Sequence, residues 1–144
     1  MASSNVVTAE QIEAGKKWTK TFYDAFNSDT FNIERWVTEF YQPDAILKQG
    51  IQPPIKGHKE IVARLEEDHK QRLGRHVVKH IDVVSDRIYV RLDGIFIQKN
   101  DPEQKEITLQ ALVVLGKKVD ENKLSSIDIF LDPSPLIERI KMLS

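Results

Sequence analysis

The chain has 144 residues, of which 40% are hydrophobic and 30% charged, and its formal net charge is −1. This length and composition predict one globular domain over 1–144, and the even spread of Lys and Arg argues against nucleic-acid or membrane-surface binding. The chain has no cysteine, which excludes disulfides, a thiol nucleophile and a cysteine-type zinc site. No secretory leader and no apolar run of the ~20 residues that span a membrane is evident, so we expect a cytosolic protein.

Two helices are predicted in the first 41 residues. Thr8 and Gln11 form a candidate capping box ahead of the amphipathic stretch "AEQIEAGKKWTKTFYDAFNS". A shorter helix is predicted in "DTFNIERWVTEFY", with Asp29 or Thr30 as its N-cap.

A short strand, a connector and a third helix follow. "YQPDAILKQG" is typical of a short strand, and the paired prolines of "IQPPIKG" predict a connector. The helix predicted in "HKEIVARLEEDHKQRLG" is expected to end at Gly74, in the C-cap position that glycine favours.

The second half of the chain has the period-two pattern of strands. Four strands are predicted in "RHVVKHIDVVS", "RIYVRLDGIFIQK", "KEITLQALVVLGKK" and "KLSSIDIFLD", and their short connections favour an antiparallel meander. "PSPLIERIKML" predicts a closing helix. Helices followed by strands indicate an α+β fold with helices on one side of the sheet. Since "ITLQALVVL" is apolar on both faces, we expect a homodimer through the sheet.

The stretch "YVRLDGIF" places two opposite charges on one face of a strand. Arg91 and Asp93 alternate with Val90, Leu92 and Gly94. Either that face is solvated, as is common for a half-exposed antiparallel strand, or it lines a cavity in which the pair does chemistry.

The order of elements resembles the nuclear transport factor 2-like (SnoaL-like) superfamily. The resemblance is carried by "FYQPDAIL", "IKGHKEIVARL", "RHVVKHIDVVSDRIYVRLDG" and "LSSIDIFLD". It implies a cone-shaped, curved antiparallel sheet packed on three N-terminal helices. It also implies one deep apolar pocket for a small lipophilic molecule, and frequent dimerisation.

Three charged residues resemble the limonene-epoxide hydrolase branch of that superfamily. Arg91, Asp93 and Asp128 stand where the branch has Arg-x-Asp on one strand and an Asp on the last. Leu47 and Gln49 stand where it has a Tyr and an Asn that hold water. In a water-poor pocket, two carboxylates that share an Arg would have different pKa values, so that one acts as base and the other as acid. Asp128 also has the solvated alternative.

His76 is the other candidate base, at a position where many superfamily members have a pocket histidine; the alternative is a surface histidine. Tyr23 is a candidate hydroxyl donor, as in the steroid-isomerase branch. The further candidate substrate-binding residues are Trp36, Leu47, Gln49, Gln110 and Phe130. His76 and His80 share a face of one predicted strand about 13 Å apart, too far to ligate one metal, and no metal or cofactor is expected.

Together these observations favour a cofactor-independent acid–base enzyme acting on a small lipophilic oxygenated substrate. Epoxide hydrolysis, isomerisation and cyclisation all remain open. The alternative is a non-catalytic domain of the same fold that binds a lipophilic ligand or serves dimerisation. Convergence of the candidate side chains in one apolar cavity would discriminate between the two.

Overall fold

Four helices pack on one six-stranded sheet in the computed structural model, which describes residues 6–144. The helices are α1 (Ala9–Phe26), α2 (Ile33–Phe40), α3 (His58–Gln71) and α4 (Ser134–Leu143). The strands are β1 (Tyr41–Gln49), β2 (Ile55–Lys56), β3 (Arg72–Val83), β4 (Ile88–Gln98), β5 (Ile107–Gly116) and β6 (Leu124–Leu131). Their order in the sheet is β2-β1-β6-β5-β4-β3.

The predicted α+β cone and its meander are confirmed. Strands β3 to β6 pair antiparallel with their neighbours in chain order. The sheet as a whole is mixed, because β1 pairs parallel to β6, and the antiparallel pairing is that of the β3–β6 meander and of β1 with β2. The parallel pair is possible because β1 and β6 are far apart in the chain, and a long connection permits either direction.

Helix α1 lies against the concave face of the sheet and begins with the predicted capping box. The backbone N–H of Gln11 donates to Oγ1 of Thr8 at 3.1 Å, and the N–H of Thr8 donates to Oε1 of Gln11 at 2.9 Å. Helix α2 is capped by Asn32, whose side chain accepts from the N–H of Arg35 at 2.9 Å, and not by Asp29 or Thr30.

Gly74 lies inside a strand, which corrects its prediction as a helix cap. Helix α3 ends at Gln71 and β3 begins at Arg72 without an intervening turn. Gly74 and Gly94 both face the ring of Phe96: a Cβ atom would come within 3.1 Å of that ring at Gly74 and within 2.7 Å at Gly94. These glycines therefore leave the space that the Phe96 ring occupies on the concave face.

A β-bulge in β3 changes which face its side chains occupy. The register shifts between Val78, which opposes Leu92, and His80, which opposes Arg91. His76 therefore lies on the concave face and His80 on the outer face, so the prediction that they share a face is wrong. An extra residue in one strand reverses the alternation beyond it.

Helix α4 is attached through a buried ion pair. The guanidinium group of Arg139 donates to both carboxylate oxygens of Asp101 at 2.8 Å, and Asp101 is 1% exposed. These hydrogen bonds lower the pKa of Asp101 to about 2. Leu136 of α4 packs in one cluster with Ile107 and Leu109 of β5. The pair thus joins α4 to the loop between β4 and β5.

Within residues 6–144, the helices are either too short or too polar to cross a membrane. The cytosolic location remains a prediction.

Substitution of Gly94 by Ala is expected to destabilise the fold by about 1–3 kcal/mol, because the added methyl group overlaps the Phe96 ring. The free energy of unfolding from urea titration measures the effect. In a Phe96→Leu background, which lacks the overlapping ring atoms, the same substitution should cost less. An equal loss in both backgrounds would contradict the steric explanation.

Candidate functional site

One cavity lies between the concave face of the sheet and the first three helices. Its volume is about 160 Å³, and its lining is mainly aromatic and aliphatic. By comparison, an engineered apolar cavity of about 150 Å³ binds benzene. The apolar side chains that line it are Phe22, Phe26, Trp36, Leu47, Leu65, Leu92, Phe96, Ala111, Val113, Ile127, Ile129 and Leu131.

The alternation of strand β4 decides which of its residues face the cavity. Val90, Leu92 and Gly94 are buried on the concave side, whereas Arg91 is exposed on the other. Burying the Arg91 guanidinium group without a paired charge would cost far more than burying the apolar set. The apolar residues of β4 therefore lie on the concave face.

His76 is held in the cavity wall through its backbone. The side-chain amide of Asn27, at the end of α1, donates to the carbonyl of His76 at 2.7 Å and accepts from its N–H at 2.8 Å. The imidazole lies among the rings of Phe26, Tyr23 and Phe96, with centroid separations of 4.5, 5.4 and 6.3 Å. Its Nδ1 atom is buried and has no hydrogen-bond partner among residues 6–144.

Burial makes this histidine neutral at physiological pH. Desolvation, and to a smaller extent the nearby His69, lowers the pKa of His76 from 6.5 to about 4. A buried polar atom without a partner costs about 1–3 kcal/mol, so this one calls for an explanation. A bound molecule that hydrogen bonds to the imidazole would provide the missing partner.

Two phenols share the cavity wall with His76. Tyr23 is 4% exposed and Tyr41 1% exposed, and burial raises the pKa of both hydroxyls. Both therefore remain protonated and can donate a hydrogen bond. Tyr23, the predicted hydroxyl donor, lies beside His76, with 5.4 Å between their ring centroids.

The mouth of the cavity is polar. Leu65, Asp68 and His69 of α3 reach the cavity together because positions i, i+3 and i+4 share a helix face. Arg72, which is 3.7 Å from Asp68, and Gln49 also line the cavity. Nδ1 of His69 donates to the carbonyl of Leu65 at 3.0 Å, which leaves Nε2 as an acceptor.

Five of the predicted site residues line the cavity, and five do not. Those that do are Tyr23, Trp36, Leu47, Gln49 and His76. The others lie on the outer face, so the prediction that Arg91, Asp93 and Asp128 share an apolar pocket is wrong. Asp93 faces Lys79, at 3.8 Å between carboxylate and ammonium, and opposes Gln110 across the strands. Asp128 opposes Val114, and Phe130 opposes Leu112 and is 50% exposed.

Sequence reasoning missed the residues at the mouth. Asp68, His69 and Arg72 are not among the predicted site residues, although all three line the cavity. The spacing of Leu65, Asp68 and His69 could have indicated one inward face of α3. In the described part of the chain, no three His, Asp or Glu side chains are grouped as metal ligands.

Comparisons with known proteins agree with this geometry. The family model of the nuclear transport factor 2 (NTF2) domain matches residues 14–119. A search of curated protein sequences returned no match.

Several solved structures share the fold at low sequence identity. A protein from Jannaschia sp. CCS1, provisionally described as a SnoaL-like polyketide cyclase, has a TM-score of 0.75 at 12% identity; 96% of this chain and 97% of that chain are covered. PrhC from Penicillium brasilianum NBRC 6234 has a TM-score of 0.76 at 14% identity, with 92% and 89% covered. TerC, co-crystallised with polyporic acid, has a TM-score of 0.72 at 16% identity, with 88% and 98% covered.

The lowered pKa of His76 predicts a pH-dependent stability. Because the folded pKa, about 4, lies below the ordinary value of 6.5, the unfolded chain binds the proton more tightly. The contribution of the neutral imidazole to the free energy of unfolding is complete above pH 6.5 and is lost as the pH falls towards 4. Since one pKa unit corresponds to about 1.4 kcal/mol, the loss should reach roughly 3 kcal/mol.

Urea titrations of the wild type and of His76→Phe across this pH range measure that loss as the difference in slope. His80→Phe is the matched control, since the His80 side chain is 66% exposed. A His76→Phe protein with the wild-type slope would show that His76 is protonated normally in the fold.

Proposed function

Since the chain belongs to the family defined by the nuclear transport factor 2 (NTF2) domain, we propose that its cavity binds a small lipophilic ketone or enone and moves a proton on it. The reaction class is a cofactor-independent isomerisation or cyclisation. His76 is the base and Tyr23 the hydroxyl donor. The substrate-binding lining includes Trp36, Leu47 and Gln49.

The proposal rests on one observation. A neutral imidazole with an unused buried nitrogen lies beside a protonated phenol in a cavity that is otherwise largely apolar. A base and a hydrogen-bond donor that converge in one water-poor cavity are what proton abstraction next to a carbonyl requires. The similarity to structures described as polyketide cyclases supports the same class of chemistry.

The steps use only these two side chains. The Tyr23 hydroxyl donates a hydrogen bond to the ligand carbonyl oxygen, and a His76 nitrogen takes a proton from the adjacent carbon. The electron pair of that C–H bond becomes an enolate, which the phenol stabilises. In an isomerisation, the imidazolium returns the proton to a different carbon. In a cyclisation, the enolate carbon attacks a second carbonyl of the same molecule, and the alkoxide formed from the broken C=O π bond takes the proton from the imidazolium.

Epoxide hydrolysis is less well supported than proton transfer. Arg91, Asp93 and Asp128, which the resemblance to epoxide hydrolases put forward, lie on the outer face of the sheet. Leu47 lines the cavity where that branch has a water-holding Tyr, and its side chain cannot hydrogen bond to water.

A non-catalytic binding protein is the second candidate. The observation that favours it is the pKa of His76, about 4, which makes its imidazole a weak base. In this case the same cavity holds the same class of molecule, with His76 and Tyr23 serving only to orient its oxygen atoms.

We also propose that the outer face of the sheet forms a homodimer. Leu112 and Phe130 oppose each other across β5 and β6 and are 44% and 50% exposed, and Ile46 on β1 is 40% exposed. Charged groups such as Asp93 and Lys79 lie beside this apolar patch. An apolar centre with a polar rim is the usual composition of a protein interface.

Deuterium exchange at the carbon atoms next to the carbonyl of 2-tetralone tests the catalytic proposal. The wild type should accelerate exchange above the buffer rate, and His76→Phe should lose on the order of 10²-fold of that acceleration. Nuclear magnetic resonance in heavy water measures the rate. His80→Phe is the control on the outer face. Tight binding of 2-tetralone without faster exchange would favour the non-catalytic candidate.

Substitution of Leu112 by Glu is expected to dissociate the homodimer, because it places a charge at the centre of the apolar patch. Analytical ultracentrifugation of the wild type and the variant measures the change in mass. Ile137→Glu on α4 is the matched control, since Ile137 is also 44% exposed but lies outside the sheet. A monomeric wild type would contradict the proposed dimer.

A further inference from the structure

We infer that the mouth of the cavity selects ligands that carry an acidic group, a carboxylate or an acidic enol, and that Arg72 is the residue that binds this group. The inference rests on the proposed function, because it concerns the same cavity. It adds the substrate class: a lipophilic acid whose ring system is inside the cavity and whose anion is at its mouth.

The first observation is the position of Arg72. It begins β3 and opposes Gln98 on the same concave face that carries Gly74 and His76. The cavity is lined by all three of the β3 residues Arg72, Gly74 and His76. Four residues of strand separate Arg72 from His76, which corresponds to about 13 Å between their Cα atoms. One or two fused rings can therefore lie between the guanidinium group and the imidazole.

The second observation is that Arg72 makes short hydrogen bonds to amide oxygens and only a long ion pair to a carboxylate. Its Nε donates to the amide oxygen of Gln98 at 2.8 Å, and its Nη2 donates to the amide oxygen of Gln71 at 3.1 Å. The nearest carboxylate oxygen, on Asp68, is 3.7 Å from Nη1, which is longer than a charge-assisted hydrogen bond. The Arg72 side chain is only 17% exposed. Two neutral amide oxygens thus hold the guanidinium group in position, and the long ion pair with Asp68 leaves its other N–H groups without a short hydrogen bond to the described residues.

A second guanidinium group, that of Arg64, also has amide oxygens as hydrogen-bond partners. Arg64 of α3 donates to the amide oxygens of Gln49 and Gln52, at 2.7 and 2.6 Å. Because the Gln49 oxygen is occupied in this way, its amide N–H groups remain available as donors at the cavity wall. Arg72 and Asp68 are the charged residues of opposite sign that line the cavity itself, and Arg64 contacts the lining through Gln49.

The chemistry of these groups identifies the ligand class. Arg72 and the Gln49 amide are donors, and an ionised carboxyl or enol group offers only acceptors. Arginine binds planar oxyanions through two parallel hydrogen bonds, and partial burial strengthens them. A neutral lipophilic molecule would make no use of this charge, so the mouth discriminates between an acid and its neutral isostere.

A matched pair of probes tests the inference: 2-naphthoate and the neutral 2-naphthamide, titrated calorimetrically at pH 7. The wild type should bind the carboxylate about tenfold more tightly or better, as expected for a charge-assisted bidentate contact. Arg72→Gln should remove that preference and leave the affinity for 2-naphthamide within about twofold. Arg75→Gln is the control, since Arg75 is exposed on the outer face of the same strand.

Each outcome has a distinct meaning. Equal affinities of the wild type for the two probes would overturn the acid selectivity but leave the proposed cavity ligand and proton transfer intact. Binding of neither probe would overturn both. The wild-type comparison stands even if Arg72→Gln is unstable, and Arg72→Lys provides a second variant, in which an intermediate preference is expected. An unchanged preference in a folded Arg72→Gln protein would also overturn the inference.

Discussion

The two hydrogen bonds between Asn27 and the backbone of His76 connect helix α1 to the free edge of the sheet. Strand β3 is the last strand in the sheet order, so its outer N–H and C=O groups have no neighbouring strand. The Asn27 amide hydrogen bonds to one N–H and one C=O group of this edge, as a further strand would. It therefore blocks part of an edge that could otherwise pair with another chain. Near its N-terminal end, α1 approaches β3 again, where Gly15 lies against Val83. The helix is therefore fixed against one strand at two points.

The cavity follows from this arrangement. Phe22, in the C-terminal half of α1, is fully buried and stacks on Trp18 and Trp36, so the aromatic side chains of α1 and α2 are packed largely against each other. On the strand side, Gly74 and Gly94 present no side chain, and only the Phe96 ring crosses this region. The helices supply rings that pack on their own side, and at Gly74 and Gly94 the strands present no side chain to meet them. A space remains beside His76 that neither layer fills.

The elements could be predicted from the sequence, but the face that each strand turns inward could not. Period-two patterns identified β3 to β6, and the capping box of Thr8 and Gln11 marked the start of α1. The face of β4 was ambiguous because β5 carries apolar residues on both sides, as expected where a second surface is also covered. The bulge between Val78 and His80 leaves no mark in the sequence pattern, and it separated His76 from His80. The mouth escaped prediction because Arg72 and Asp68 acquire a shared environment only when α3 leads directly into β3.

The low pKa of His76 does not measure its strength as a base in the complex. A proton that the imidazole takes from water leaves a positive charge with no partner in an apolar surrounding, which is why burial lowers the pKa to about 4. When the proton comes from the bound molecule, an enolate remains beside the imidazolium. The two charges attract most strongly where water is absent, so the surroundings that oppose the first protonation favour the second. The same reasoning requires that any permanent anion of the ligand lie away from the reacting carbon. Its place at the mouth, about 13 Å along β3 and against Arg72, meets that requirement.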